Sequence, residues 1–138
     1  MSWGDAEARV IREMIKHEAN VSNHRLTWLA ALQGLLFAAL GFFWHSEGAG
    51  SYILVLSVLG VSSSASSLYS LWLAHRATEE ILISWNANKL DTYNGPPVIG
   101  AFVTGISRWF LPWFCLPSLL ILAWSYFLLI ALYSEGLF

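Results

Sequence analysis

Three stretches of this chain, 26–44, 51–74 and 109–133, contain no Asp, Glu, Lys or Arg at all. Each is long enough to cross a hydrocarbon core of roughly 30 Å, which takes about 20 apolar residues in a helix. Inside lipid every backbone N–H and C=O must be satisfied within its own segment, so the default structure for each stretch is an α-helix. The rest of the composition agrees: 57% of the 138 residues are hydrophobic and 12% are charged. A soluble domain is nearer a quarter charged, and one this short could not hide so much apolar surface. The expected fold is an all-α membrane protein with three transmembrane helices.

The few charges are placed unevenly. Arg9, Arg12, Lys16 and Arg25 precede the first span, and Arg76, Lys89 and Arg108 lie between the second and third. The link 45–50 and the tail 134–138 have no Lys or Arg. This pattern predicts an N-in/C-out topology in the inner (plasma) membrane. The polar, partly acidic first 25 residues do not resemble a signal peptide, so 26–44 is read as a retained span. Residues 96–108 are uncharged until Arg108 but too short to cross, and after the turn Asn94-Gly95-Pro96-Pro97 they predict an interfacial helix. Arg25, Arg76 and Arg108 are expected at the inner junction, within reach of lipid phosphates, and Trp28 in an aromatic belt.

Two amphipathic cytosolic stems are expected below the spans. In 1–25, Val10, Ile11, Met14, Ile15 and Val21 recur at helical spacing, so stem and first span form one helix of about 40 residues, ~60 Å long. In 75–95, Ile81, Leu82 and Trp85 can pack against it. Salt bridges are expected among Arg25, Arg76, Glu18, Glu79 and Glu80.

Chemistry-bearing patterns are sparse. With a net charge of -2 and no basic cluster, a nucleic-acid partner is not expected. The uncharged spans lack the ionisable groups that proton relays and charge-coupled transport use. His17 and His24 share a helix face two turns apart, but no HExxH-type pair accompanies them, so no metal and no cofactor are expected. Arg12 and His17 have the R-x4-H spacing of HEPN ribonucleases, once only and with Glu13 where that family has a small polar residue. An enzyme is not expected.

The second span is the most informative. Ser62, Ser63, Ser64, Ser66, Ser67 and Ser70, with Gly60, fall mostly on one side of a helix, opposite Leu54, Val58, Val61 and Trp72. The first span carries a matching small series, Ala30, Gly34, Ala38 and Gly41. Such faces bring helices close together in lipid, within one chain or between copies, and hydroxyls can also line a hydrated pathway.

The segment Asn23-His-Arg25-Leu-Thr-Trp28, followed by Gln33-Gly-Leu-Leu-Phe37, resembles a stretch of uncharacterised small bacterial membrane proteins. The layout, an amphipathic stem leading into a membrane hairpin, is similar to that of SLATT-type effectors, proposed pore formers, from which the third span departs. The first resemblance implies that Asn23 hydrogen-bonds between stems, Arg25 meets phosphate and Trp28 sits at the interface.

The function expected from these residues is a homo-oligomeric channel or pore-forming effector, with Ser63, Ser67 and Ser70 toward the pathway. The alternative is a small accessory or assembly subunit of a larger membrane complex. Expected partners are the lipid bilayer, further copies of the chain, or a larger membrane protein.

Overall fold

Nothing from Asp5 onward interrupts a helix until the first span ends, and stem and span form the single helix α1, Asp5–Phe43. Its start is capped by Glu7, whose Oε2 accepts the Gly4 N–H at 2.9 Å. The chain then reverses in a tight turn in which Ser46 N–H bonds to Phe43 O and Ala49 N–H to Ser46 O. Gly48 closes this turn at φ 75°, a left-handed conformation that glycine adopts without a Cβ clash. Helix α2, Ala49–Asn88, runs back antiparallel to α1 and likewise joins a span to a stem. Helix α3, Pro112–Ser134, opens on a proline, whose missing N–H is harmless at a first helical position.

The computed structural model describes residues 3–96, 98 and 111–134. Among these the chain is all-helical, and all three helices are long and apolar enough to cross a membrane. This is a multi-pass membrane protein. Helix α2 is the central element: its backbone runs close along both α1 and α3, whereas α1 and α3 meet mainly through side chains.

Two apolar cores hold the bundle. In the spans, Leu36 and Leu40 of α1, Ile53 of α2, and Trp124 and Ala131 of α3 pack together, with Leu54, Leu56 and Phe127 at the edges. At the stem tip, Ala8 and Ile11 of α1 meet Trp85 of α2. Trp3 stacks on Trp85, and the chain start pairs with the end of α2 through Trp3 N–H to Asn88 O (2.8 Å) and Leu90 N–H to Trp3 O (3.1 Å). Arg12 Nη1 donates to Tyr93 Oη and to Pro96 O, tying the loop after α2 to the stem.

The stem face differs from the expected one. Val10 and Met14 are exposed, and the buried line is Ala8 and Ile11, with Ile15 half-buried. Positions 8, 11 and 15 repeat at the three- and four-residue spacing of one helix face, which residues 14 and 10 miss by about a quarter and a third of a turn. Ile11→Ala should therefore cost about 2–4 kcal/mol, and Val10→Ala under about 0.5. Denaturant titration of the reconstituted protein, followed by near-UV circular dichroism of Trp85 and Trp3, checks the contrast; equal costs would refute this stem packing.

Of the expected salt bridges one forms, Arg76 with Glu80 at 3.9 Å; it lies within α2, as does the approach of His75 to Glu79 at 3.2 Å, and none joins the two stems among the described residues. One-turn neighbours on a single helix meet without any fixed inter-helix register. The expected interfacial helix 96–108, with Arg108, falls largely outside the described residues. Its first members are at the stem tip: Pro96 accepts from Arg12, and Val98 packs beside Trp85, so the segment starts there and not at the junction.

Candidate functional site

The polar centre of the spans is built around one side chain, Gln33. An amide in the middle of an apolar helix must find its hydrogen bonds inside the protein, because lipid offers none. Gln33 is 3% exposed and meets both other helices. Its Nε2 donates to Ser63 Oγ at 2.9 Å and Ser64 Oγ at 3.0 Å, with Gly60 O further off at 3.4 Å. Its Oε1 accepts the indole N–H of Trp124. Ser63 Oγ in turn donates to Leu59 O at 2.8 Å, so donors run in one sense from α3 through α1 into the backbone of α2.

Glycine at position 60 makes this meeting possible. A Cβ built on Gly60 would lie 2.4 Å from Trp124 Cδ2, so the indole rests directly on the α2 backbone. Trp124 is fully buried, stacked on Phe37 at 4.6 Å and tilted against Phe127. Ser57 Oγ, one turn from Gly60, is buried without a hydrogen-bond partner among the described residues and does not take part.

Burying Gln33 sets the rotation of α1, and this corrects the expected use of the small series. Leu29, Gln33, Leu36 and Leu40 form the buried face of α1. Gly34 and Ala38 therefore lie on its other side, both exposed, and a Cβ at Gly34 or Gly41 would meet nothing within 4 Å. The two small series do not face each other within the chain. Ser63, expected toward a pathway, is committed to Gln33, and Gly60 packs on α3. Within the serine stripe of α2 the exposed hydroxyls are Ser62 and Ser66.

Ser67 and Ser70 belong to a second feature, a cleft of about 400 Å³ between α1 and α2, where they are joined by Ser66, Arg25, Trp28, Leu29 and Leu32. Arg25 reaches across it, Nη1 donating to Ser70 O at 3.3 Å. Trp28 is 76% exposed at its rim. The other junction residues are placed differently. Asn23 Oδ1 accepts the Trp113 indole N–H at 3.2 Å, joining α1 to the start of α3 and not stem to stem. Arg76 lies over the Trp72 ring at 5.3 Å while paired with Glu80.

A third feature, a cavity of about 130 Å³, lies where the stems meet the start of α3, between Glu18, Ser22, His75, Thr78, Trp113 and Phe114. His75 Nε2 is buried there without a hydrogen bond, its distance to Glu79 notwithstanding, and the ring packs edge-on against Phe114. Among the described residues no three His, Cys, Asp or Glu side chains converge on a point that could hold a metal. His17 and His24 are both exposed on α1.

Sequence reasoning passed over Gln33 and Trp124. A signal existed for Gln33, the one amide side chain in the three uncharged spans. Asking what could satisfy it leads to the serines of α2 and to an indole.

No family model, curated protein or solved structure matches this chain.

Proposed function

We propose that the chain is the subunit of a homo-oligomeric membrane channel, with its stems inside the cell and its C-terminus outside. The observation that carries this reading is the unused small surface of α1. Gly34, Ala38 and Gly41 are exposed over two turns with open space before them, while the chain's own packing uses the opposite face. On α2 the exposed Ser62 stands level with Gly34, as the bond from Gln33 to Ser63 fixes, and the exposed Ser66 one turn nearer the stems. In lipid both surfaces are poorly served: the small one forgoes dispersion contacts, and the hydroxyls face hydrocarbon.

Docking the small face of one copy on the hydroxyl face of the next satisfies both. Because the two faces differ, the contact is head-to-tail, and repeating it closes a ring.

Gly34→Leu tests the interface cleanly, because the space at Gly34 is open within the chain and leucine is the better helix former by about 0.8–1 kcal/mol. The wild-type protein is expected as a discrete oligomer by mass in nanodiscs and to conduct in planar bilayers. The variant is expected to fall to monomers with unchanged helicity and to lose conductance. A monomeric, non-conducting wild type, or a variant that assembles and conducts normally, overturns the proposal. Recovery of a stoichiometric larger membrane protein in mild detergent, in place of self-assembly, supports the accessory-subunit reading.

A further inference from the structure

We infer that the cleft between α1 and α2 is a binding site for one phospholipid with a net-anionic phosphate headgroup. One chain builds it whole, so it stands independently of any ring. Its polar end is Arg25. Of the guanidinium's five N–H donors, one is directed at Ser70 O, which holds the group across the cleft and leaves the others free. No carboxylate pairs with Arg25 among the described residues, unlike Arg76, which Glu80 engages. A planar guanidinium with an unused edge matches two phosphate oxygens at once.

The hydroxyls of Ser66, Ser67 and Ser70 line the same cleft and make no hydrogen bond among the described residues, so they are donors without acceptors. The other end is apolar. Leu29 and Leu32 continue the wall for about two turns into the span, and the exposed Trp28 ring flanks it. A phosphate at Arg25 thus places a hydrocarbon tail along Leu32, at the boundary where the uncharged span begins. No acidic side chain lines the cleft, so nothing there pairs with the ammonium of a zwitterionic headgroup. The cleft should therefore prefer phosphoglycerol-type lipids.

The test is native mass spectrometry of the delipidated full chain against phosphatidylglycerol, phosphatidylcholine of the same acyl chains, and inorganic phosphate. Wild-type protein should retain one phosphatidylglycerol about fivefold better than phosphatidylcholine, the ratio that ~1 kcal/mol per basic residue gives at a membrane surface. Arg25→Gln should lose the preference, Arg25→Lys should keep part of it, and Arg76→Gln should leave it intact. Circular dichroism separates loss of the site from loss of the fold, and if Arg25→Gln does not fold, the paired Ser67→Ala and Ser70→Ala variant serves in its place. Equal retention of the two lipids by the wild type, or full preference in Arg25→Gln, overturns the inference. Displacement of the lipid by millimolar inorganic phosphate would assign the cleft to free phosphate and overturn the lipid.

Discussion

Gly60→Leu is expected to separate α3 from the α1–α2 hairpin. Even the first added carbon would lie 2.4–2.5 Å from three atoms of the Trp124 ring. The ring cannot yield, because it is fully buried between Phe37, Phe127 and the α2 backbone. Forcing extra carbons into a packed core usually costs about 1–3 kcal/mol, and a clash with an immobile indole belongs at or beyond the top of that range. Denaturation in mixed micelles, followed by tryptophan emission, should show a large loss of midpoint for Gly60→Leu and a smaller one for Gly60→Ala. Trp124→Leu, damaging by itself, should partly rescue Gly60→Ala by making room. A wild-type midpoint in Gly60→Leu would mean that α3 does not pack on α2 at this level.

Gln33→Leu should be the second most damaging change, although it makes the span more hydrophobic and easier to insert. It strands the indole N–H of Trp124 in a buried site and removes the link from α1 to Ser63 and Ser64. A buried donor left without a partner costs about 1–3 kcal/mol. Ser63 loses less, because it keeps its bond to Leu59 O, whereas the fully buried Ser64 loses the hydrogen bond that Gln33 gives it. Interhelical hydrogen bonds in lipid average about 0.6 kcal/mol by double-mutant cycle, with maxima near 1.7, so the Gln33–Trp124 pair can be weighed directly. A cycle of Gln33→Leu with Trp124→Phe should give a coupling toward the upper end of that range. Additive effects would show that the contact contributes nothing to holding α1 and α3 on α2.

These two experiments bear on different functional readings. If the Gln33 cluster dominates stability, the hydroxyls of α2 fall into two groups. Ser63 and Ser64 hold the bundle, and Ser62, Ser66, Ser67 and Ser70 remain for lipid, water or a neighbouring copy. The sequence shows six serines and one stripe. A helical projection cannot tell which of them an amide on another helix will claim.

Much of the architecture was nevertheless legible beforehand. The absence of charge over 26–44, 51–74 and 109–133 dictated helices, because hydrocarbon leaves the backbone no other way to satisfy itself. The lack of a breaker after Asp5 made stem and span one helix, and the proline at 112 suited a helix start. These are local consequences, decided within a turn or two of chain. The rotation of each helix about its axis was not local. Gly34 and Ala38 could have faced α2 as readily as away from it, since both faces of α1 are apolar and lipid does not distinguish them. The tertiary structure decided it through one polar side chain, because Gln33 had to be turned inward to Ser63, Ser64 and Trp124, and the small residues were carried outward with it.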